Sequence, residues 1–399
     1  MDASRVFTPD QLWMPAFIAD PYPTFHNLRE KSPLRIVSLP GGAVAGNDDP
    51  TWNWALMKHD DSYNALRDHE TFSSVTPLAG KLAPRLTLVQ DDPPRHTRLR
   101  GVVNKTFTPR RVEALTPWIA ALAGELLDEI VEGETDIVQS YTVPLPMKVI
   151  ARLLGIPGED YLTFKRWSEA VMALTSMPPE QRANSSNELA RYFGKIAAAR
   201  REQAAEDLIT ALVEAKVEND VLDDFEVLGF CLLLLIAGNE TTTHLLSNLL
   251  NLLAERPELW SRLREDRSLV DNVIEESLRH ESPIQRIPRR TTREVEVSGV
   301  KIPAETGVTI FYGAANRDPN EFPNPDEFRL DRDLRNHVAF GTGIHYCLGA
   351  PLARAEAQIT LNKFLDRFAV LKRGAAPALR QTAAVSFFGF QQLPLVLSP

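Results

Sequence analysis

A cysteine between two glycines marks the segment of the chain with the most distinctive chemistry. Residues Phe340 to Gly349 read FGTGIHYCLG, and a helix-forming segment follows directly. The glycines permit a tight turn, and a cysteine just before a helix faces free backbone N–H groups that favour an anion. Cys347 is therefore a candidate thiolate, the form of cysteine that binds metals. The alternative is a small buried apolar residue, which is the commoner fate of an unpaired cysteine.

Several common catalytic signatures are missing, which narrows the chemistry. His280 begins no zinc-protease motif, and no GxSxG elbow occurs. Val75 stands where a phosphate loop ending in Gly80-Lys81 would need glycine, and Tyr346 stands where a dinucleotide fingerprint starting at Gly341 would need it. No cysteine or histidine cluster has zinc-site spacing in the sequence. No hydride-transfer fold is indicated.

The elements that must position Cys347 are mainly helical. Apolar residues recur at a spacing of three and four from Val112 to Val131, which predicts an amphipathic helix. Asp223 to Glu255 opens with a capping-box-like pair and is apolar nearly all round, as expected of a helix through the centre of a large domain. We also predict a helix that starts at Ser268 and a last helix over Pro351 to Phe368.

Shorter segments predict a minor β region. Leu34 to Leu39 and Trp52 to Met57 are strand-like, and Val295 to Ile302 alternates around a Ser-Gly turn, which predicts a hairpin. The Pro- and Asp-rich stretch Asn316 to Asn336 is longer than loops usually are without a functional or packing reason. No repeat or linker divides the 399 residues, which favours one mainly helical domain.

Composition and charge exclude several classes of protein. The 44 Lys and Arg residues against 53 Asp and Glu give a net charge of −9, so we expect no nucleic-acid partner. Two cysteines cannot form a multi-disulfide framework, and a reducing cytoplasm fits best. The first residues lack a signal-peptide pattern, and the apolar stretch Val227 to Gly238 is too short to span a bilayer. We therefore expect a cytoplasmic protein without a membrane partner.

At the cysteine segment the sequence resembles the cytochrome P450 family, whose haem-ligand loop has the form Phe-x-x-Gly-x-His-x-Cys-x-Gly. Four other segments match family signatures in the same order: His96 to Arg100, Ala237 to Thr242, Glu276 to Arg279 and Ala315 to Pro319. The resemblance implies a mainly α fold with a minor β region and a long central helix over the haem. It implies a single haem-thiolate monooxygenase domain over residues 1–399, with a mixed, β-containing region over 1–90 and a mainly helical haem-binding core over 91–399.

The resemblance implies that haem b is the cofactor and that Cys347 is the axial thiolate ligand of its iron, a ligand type that favours O–O cleavage. Gly341 and Gly349 belong to the same loop, in which backbone N–H groups after Cys347 hold the thiolate. Phe340 is expected to pack against the proximal face of the haem. Ala237 offers little bulk on the central helix and leaves room for O₂ and substrate.

The resemblance also implies that Glu240 and Thr241 are catalytic. A positioned alcohol with a carboxylate relay delivers the protons that oxygen activation needs. The alternative is that Thr241 bonds to a carbonyl of its own helix and Glu240 pairs with a basic residue. Many family members have Asp at the acid position, so Glu240 is the longer variant.

Haem carries two propionates, which need cations or hydrogen-bond donors. His96 and Arg100 are four residues apart and share a helical face, and His345 lies in the cysteine loop. Together with Arg289, they match propionate-binding positions of the family. Arg290 is the neighbouring alternative to Arg289, and the choice depends on alignment of the segment that follows.

Glu276 and Arg279 are three residues apart on one helix face. An exposed pair at this spacing is worth about 0.3–0.5 kcal/mol. The resemblance implies instead a buried structural network, closed by Arg332 from the Asp- and Pro-rich stretch, that holds the proximal loop in place.

Electrons must come from outside the chain, because two cysteines cannot ligate an iron–sulfur cluster and no flavin module is apparent. We expect an external [2Fe-2S]-type ferredoxin with its reductase. Its docking face would use a local basic concentration: Arg95, Arg98, Arg100, Lys105, Arg110, Arg111 and Arg354. The alternative is a solvated face of mixed charge.

The expected substrate is a hydrophobic small molecule that reacts with O₂, and the protein is expected to be a monomer. Residues predicted to line the substrate pocket are mostly apolar: Val75, Leu78, Leu233, Ile236, Ala237, Ile287, Phe387 and Phe388. Such aromatic residues are also ordinary core. Two other functions stay open, a peroxide-using or rearranging haem-thiolate enzyme and a non-catalytic haem-binding sensor.

Overall fold

A computed structural model describes residues 14–37, 52–75, 86–104, 107–157, 160–172, 177–217 and 220–399 of the chain. Within these ranges helices dominate, which confirms the predicted fold class. The helices are α1 (Pro15–Ala19), α2 (Tyr22–Arg29), α3 (His59–Arg67), α4 (Arg95–Asn104), α5 (Pro109–Asp128), α6 (Pro144–Leu154), α7 (Tyr161–Met172), α8 (Pro179–Glu202), α9 (Leu208–Val213), α10 (Asp224–Ala254), α11 (Pro257–Glu265), α12 (Val270–His280), α13 (Tyr312–Ala315) and α14 (Ala350–Arg367).

In the described part of the chain the strands are short and form five sheets. They are β1 (Leu34–Val37), β2 (Trp52–Leu56), β3 (Phe72–Ser73), β4 (Gly133–Asp136), β5 (Lys216–Val217), β6 (Asp220–Val221), β7 (Ile287–Thr291), β8 (Val295–Val297), β9 (Val300–Ile302), β10 (Gly307–Ile310), β11 (Val370–Arg373), β12 (Leu379–Arg380), β13 (Phe390–Gln392) and β14 (Pro394–Ser398).

The largest sheet joins distant parts of the chain in the order β1-β2-β10-β7-β3. Strand β10 pairs in parallel with β2 and antiparallel with β7, so the N-terminal strands depend on strands from the second half of the chain. The predicted hairpin is present as β8 and β9. Ser298 and Gly299 at its turn have φ values of 46° and 76°, the left-handed conformation that such turns require.

Helix α10 is the predicted central helix. Its N-terminus carries a complete capping box, in which the Asp223 carboxylate accepts the Glu226 N–H at 2.8 Å and the Glu226 carboxylate accepts the Asp223 N–H at 3.0 Å. Most of the 31 residues of α10 are buried among other helices. Its length and composition would also allow it to cross a membrane, but 56% of its most apolar window is buried in the fold, as in the core helix of a globular domain.

Two predicted helix starts differ slightly from the structure. Ser268 lies in a 3₁₀ turn capped by Asp266, and α12 proper begins at Val270. The last helix starts at Ala350, one residue before the predicted Pro351, so it begins soon after Cys347. The stretch 316–336 contains no helix or strand, as its composition predicts.

Candidate active site

The loop that carries Cys347 is a tight turn closed by its own backbone. The Cys347 N–H donates to the Phe340 carbonyl oxygen at 2.9 Å. Gly341 and Gly343 have φ values of +67° and +71°, which other residues rarely adopt. A Cβ on Gly343 would also lie 2.7 Å from the carbonyl oxygen of Leu66. Glycine is therefore needed at position 343 both for backbone conformation and for close packing against α3.

The Cys347 sulfur lies at the start of α14, where the backbone N–H groups of Gly349 and Ala350 favour its anionic form. Burial raises the pKa of the Cys347 thiol, and the two N–H groups oppose that rise. The nearby guanidinium of Arg100 also favours the thiolate. A positive partner at the sulfur, such as a metal ion, would complete the stabilisation of the anion.

Phe340 is fixed beside this loop by charged neighbours. The guanidinium of Arg354 lies 4.6 Å from the centre of the Phe340 ring. Arg354 also forms a two-pronged salt bridge with Glu275, at 2.6 and 2.8 Å, and His337 lies 3.0 Å from the same carboxylate. Hydrogen bonds from Arg354 and His337 outweigh burial and lower the pKa of Glu275 to about 2. This cluster ties α12 and α14 to the loop that precedes Cys347.

A basic cluster formed by His96, Arg100, Arg289 and His345 lies next to the cysteine loop. The rings of His96 and His345 are 4.3 Å apart, and His345 Nε2 lies 2.9 Å from Ser74 Oγ. Burial lowers the pKa of His345 to about 2, with help from the positive charge of Arg289. Burial also lowers the pKa of His96.

No carboxylate forms a salt bridge with the basic cluster among the residues that the structure describes, although the charge of Asp92 acts on His96 and Arg289. Neither buried ring nitrogen of His96 has a hydrogen-bond partner in the described part of the chain. Arg289 is only 4% exposed, and burial lowers its pKa; its one described hydrogen bond goes to the carbonyl of Pro288, at 2.8 Å. A buried cation without a counterion is costly, so this cluster suits a bound anion.

Arg290, the neighbour of Arg289, is differently placed. Its guanidinium forms a salt bridge with Glu305 and donates to the Val75 carbonyl oxygen at 3.1 Å. The positive charge of Arg290 is therefore already paired. Of the two arginines, Arg289 is the one whose charge acts on His345.

A row of accessible residues runs along the middle of α10, where most other side chains are buried. Leu233, Ala237 and Thr241 are spaced by four and share a face, and Ala237 is exposed although Ile236 beside it is buried. Gly238 does not belong to this face. A Cβ at Gly238 would lie 2.8 Å from Ile150 Cδ1 of α6, so its lack of a side chain serves helix packing.

Thr241 and Glu240 have different surroundings although they are adjacent. Thr241 Oγ1 donates to the Ala237 carbonyl oxygen at 2.6 Å, which is the intrahelical bond considered as the alternative in the sequence analysis. Because the hydroxyl proton is used inside the helix, the oxygen lone pairs of Thr241 remain available to accept a hydrogen bond from a ligand.

Glu240 points to α7 and is largely buried. Its Oε1 accepts a hydrogen bond from Ser168 Oγ at 2.9 Å, and its Oε2 lies 3.9 Å from His244 Nε2. Burial raises the pKa of Glu240, although the charge of Lys165 and the Ser168 hydroxyl oppose that rise. Glu240 forms no salt bridge with Lys165 among the described atoms. The alternative in which Glu240 pairs with a basic residue is therefore supported only by the nearby charge of Lys165.

Comparison with known proteins assigns the family. The sequence profile described as Cytochrome P450 matches residues 134–388. The cytochrome P450 monooxygenase PikC of Streptomyces venezuelae is 36% identical over 90% of this chain and 87% of its own length. The cyclomarin C epoxidase CymV of Salinispora arenicola is 39% identical over 81% of this chain and 85% of its own length. The chain belongs to the cytochrome P450 family.

A solved structure supports the same assignment at the level of the fold. CYP109E1 from Bacillus megaterium, whose structure was solved in complex with testosterone, has a TM-score of 0.86 and 34% identity. The alignment covers 97% of this chain and 100% of that one. This protein is thus a haem-thiolate oxidoreductase with the fold of a bacterial cytochrome P450.

The residues of the site fit haem b, the cofactor of the P450 family. Cys347 would bind the iron, and the N–H groups of Gly349 and Ala350 would hold the sulfur as thiolate. The unpartnered nitrogens of His96 and the unpaired charge of Arg289 fit the two carboxylates that haem carries. When bound, haem supplies the site for O₂ and the redox chemistry that transfers one oxygen atom to a substrate.

The predicted substrate-pocket residues do not all lie together. Phe387 and Phe388 diverge: the Phe387 ring lies 6.0 Å from His244 of α10, whereas the Phe388 ring packs 5.4 Å from Tyr22 of α2. Phe388 is covered on its other side by Arg380, 4.1 Å from its centre. We therefore keep Phe387 and omit Phe388 from the pocket that we propose below.

The exposed fraction of each remaining predicted pocket residue shows whether it can line a pocket or belongs to the core. Leu78 lies outside the described residues, while Val75 is 37% exposed at the end of β3. Leu233 and Ile287 are partly exposed, as a lining residue would be. Ile236 is 5% exposed and belongs to the core.

Glu276, Arg279 and Arg332 form one buried ion network. Arg279 donates two bonds of 2.7 Å to the Glu276 carboxylate, and Arg332 adds a third at 3.2 Å. Arg279 also donates to the carbonyl oxygens of Asn316 and Pro325 at 2.9 Å. The network therefore fixes the long Asp- and Pro-rich stretch through its backbone.

Several polar residues that touch the site belong to no sequence motif. Ser74 contacts His345, and Ser168 contacts Glu240 across a separation of 72 residues. The hydroxyl of Tyr312 would lie 3.2 Å from a Cβ on Gly341, and burial raises the pKa of Tyr312 to about 12. A serine or tyrosine outside any motif carries no signal in one sequence, so only the fold could identify these residues.

Proposed function

We propose that this cytochrome P450 inserts one oxygen atom from O₂ into a C–H or C=C bond of a hydrophobic small molecule. The observation that carries the proposal is the placement of Glu240 and Thr241 on the accessible part of α10. One is a buried acid with a raised pKa, and the other is a hydroxyl that lies on the open face with Ala237.

The proposed roles of the pair follow from these contacts. Thr241 would accept a hydrogen bond from the oxygen species at the site, because its own proton is given to Ala237. Glu240 would hold a proton and pass it on, because burial raises its pKa and so favours the protonated form. Rotation of the Glu240 side chain away from Ser168 would bring the proton toward the open face of α10.

The proposed substrate is an apolar small molecule. Leu233, Ala237 and Ile287 offer hydrophobic surface with few polar anchors, and Phe387 packs beside α10 behind them; such a lining suits binding by shape and desolvation. The relatives named above include a monooxygenase, an epoxidase and a protein solved with testosterone. Hydroxylation and epoxidation are the two outcomes that we propose for this chain.

Electrons would come from an external [2Fe-2S]-type ferredoxin and its reductase, by docking near the cysteine loop. The residues predicted for this docking face differ in their surroundings, and Arg100 belongs to the basic cluster beside the cysteine loop. Arg95 and Arg354 are paired with carboxylates, and Lys105 lies outside the described residues. Arg98, Arg110 and Arg111 are exposed on α4 and α5 and supply the positive face of the proposed docking surface.

The same proposal includes a cytoplasmic, monomeric protein. Both cysteines are free thiols, one of them the proposed iron ligand, which fits a reducing compartment. Size-exclusion chromatography with light scattering would test the monomer directly: a mass near 44.6 kDa supports it, and twice that mass contradicts it.

Thr241→Ala tests the proposed function. With NADPH, ferredoxin, reductase and an apolar substrate, we expect the variant to consume electrons while the product formed per electron falls severalfold and hydrogen peroxide is released. Thr241→Ser keeps the hydroxyl and should retain most of the coupling. Unchanged product per electron in Thr241→Ala would contradict the assigned role.

The peroxide-using alternative is tested with the same variants. Hydrogen peroxide brings its own protons, so turnover with peroxide should not depend on Thr241. Loss of ferredoxin-driven product in Thr241→Ala with retained peroxide-driven product supports the O₂-dependent reaction. Product formation only with peroxide, in wild type as well as in the variant, would support the alternative.

A further inference from the structure

A buried histidine outside the haem region has an unusual partner arrangement. His59, the first residue of α3, is 4% exposed. Its Nε2 lies 2.9 Å from the Asn336 carbonyl oxygen, which can only accept a hydrogen bond. Nε2 therefore carries the proton and donates it. In the neutral ring, Nδ1 is then left as a lone pair.

This lone pair faces two carboxylates. His59 Nδ1 lies 3.5 Å from Asp60 Oδ1 and 3.9 Å from Glu321 Oε2. Both distances exceed the usual hydrogen-bond range of about 2.7–3.2 Å. Nδ1 has no hydrogen-bond partner among the described residues, and the three ligand atoms lie within 4.8 Å of one another. Three electron-pair donors facing one point repel each other unless a cation lies between them.

The distances match metal coordination better than hydrogen bonding. Zinc binds imidazole nitrogen and carboxylate oxygen at about 2.0–2.2 Å, which places neighbouring ligand atoms of a tetrahedral site roughly 3.4 Å apart. The separation between His59 and Asp60 is close to that value, and Glu321 needs only a small movement. Asp60 is 90% exposed on its side chain and can adjust freely.

One residue orients two of the three ligands. The Asn336 carbonyl accepts from His59 Nε2, and the Asn336 Nδ2 group donates to Glu321 Oε1 at 2.8 Å. Hydrogen bonds of this kind, from groups that do not touch the metal themselves, are typical of metal-binding histidines and carboxylates. They leave His59 Nδ1 and Glu321 Oε2 facing each other across the site.

Aromatic packing fixes the His59 ring, and a nearby carboxylate offsets the one charge effect that opposes cation binding. Tyr63 stacks on the His59 ring, and Phe322 contacts its edge, each with centres 5.7 Å apart. The positive end of α3 disfavours a cation by roughly 0.3–1 kcal/mol. Asp318 offsets this effect by accepting the His59 N–H at 2.8 Å.

We propose that His59, Asp60 and Glu321 bind one divalent transition-metal ion of the zinc type, separate from the haem iron. Imidazole with two carboxylates suits zinc, whereas magnesium and calcium prefer oxygen ligands alone. Water completes the coordination on the exposed side. The ion joins the start of α3 to the stretch 316–336, while the end of α3 packs on Gly343 of the cysteine loop. The bound ion thus has a structural role: it fixes α3, which packs on the loop that bears Cys347.

Zinc binding to the holoprotein tests the proposal. The protein is treated with a chelator, dialysed, and titrated with zinc chloride by calorimetry. We expect one saturable site per chain and an increase in thermal stability with zinc concentration. Anomalous diffraction at the zinc edge should place the ion between His59, Asp60 and Glu321.

Matched variants identify the ligands. Glu321→Gln keeps the shape and an oxygen for Asn336 but removes the negative ligand, and it should weaken zinc binding at least tenfold, as should Asp60→Asn. Asp61→Asn is the control, because this neighbouring acid loses the same charge but is held by Ser298 at 2.8 Å. Its zinc affinity should stay within about twofold of the wild type.

Two results would overturn the proposal. The first is the absence of a saturable zinc site in the wild type. The second is equal zinc affinity in wild type, Glu321→Gln and Asp60→Asn. Neither result depends on turnover, so both are independent of the proposed oxygen insertion.

Discussion

Ser168 of α7 donates a hydrogen bond of 2.9 Å to Glu240 of α10, and this bond is the one link to the proposed catalytic acid from another helix among the described contacts. Glu240 is otherwise contacted from its own helix, by Asn239 at 3.3 Å and by His244 at 3.9 Å. The position of the acid therefore depends on the position of α7. A shift of α7 would change how readily Glu240 turns toward the open face of α10.

Ser168→Ala should move the ionisation of Glu240 to higher pH. The Ser168 hydroxyl favours the carboxylate form, so its removal raises further a pKa that burial already raises. We expect the Glu240-dependent step in the pH profile of coupled turnover to shift upward in Ser168→Ala and to be absent in Glu240→Gln.

Ser247→Ala is the control for that experiment. Ser247 is buried on α10, but its hydroxyl donates to the His244 carbonyl oxygen at 3.2 Å and does not contact Glu240. The profile of Ser247→Ala should match the wild type. The same midpoint in Ser168→Ala and Ser247→Ala would show that the bond does not act on the acid.

Arg289→Gln should weaken haem binding and stabilise the apoprotein. Arg289 is buried and forms no salt bridge among the described residues, so its removal relieves a cost when no haem is bound and deletes a charge-assisted contact when haem is bound. A contact of this kind is worth about 1.5–3 kcal/mol, which corresponds to haem loss that is roughly 10–100 times faster. Transfer of haem to an excess of apomyoglobin measures the rate.

Arg290→Gln separates the two neighbouring arginines. Arg290 pairs with Glu305 near the surface, and such pairs contribute at most about 1 kcal/mol. We expect little change in the rate of haem loss. Faster haem loss in Arg290→Gln than in Arg289→Gln would reverse the assignment of the propionate ligand.

Glu356→Gln should change how stability depends on pH. Glu356 of α14 is 1% exposed, its Oε2 has no described partner, and burial raises its pKa from 4.5 to about 8. The folded protein therefore keeps this proton above pH 4.5, where the unfolded chain releases it. The stability associated with Glu356 is complete below pH 4.5 and is lost as the pH rises toward 8.

Thermal unfolding of the two proteins between pH 5 and 8 measures this effect. Each pH unit in that window costs the wild type up to about 1.4 kcal/mol that the glutamine variant does not lose. The advantage of Glu356→Gln should thus grow with pH and level off above 8. Glu113→Gln, at an exposed position of α5, should show no such trend. Parallel stability curves for wild type and Glu356→Gln would contradict the argument.

Local patterns in the sequence predicted much of the fold. The Asp223 and Glu226 pair identified the start of α10, because a capping box uses only neighbouring residues. The Ser298-Gly299 turn likewise identified the β8–β9 hairpin. The large sheet was not predictable in this way, because β2 pairs with β10 through backbone groups that are far apart in the chain.

In the candidate site, too, only features formed by residues close in the sequence could be predicted. The order of the glycines and His345 around Cys347 was informative, because a tight loop restricts residue types at fixed spacing. The packing role of Gly238 could not be predicted, since the residue that packs on it, Ile150, belongs to another helix. Ser168 and the His59–Glu321 pair are brought together only by folding, so no spacing rule could reveal them.

The ligation of iron by Cys347 is most directly tested by the optical spectrum of the reduced protein under carbon monoxide. We predict a strongly red-shifted Soret band, the signature of a thiolate opposite carbon monoxide, in the wild type. In Cys347→Ser this band should be lost, because an alcohol does not donate charge as a thiolate does. A colourless wild type, or a red-shifted band that persists in Cys347→Ser, would contradict the account and leave Cys347 as a buried structural residue.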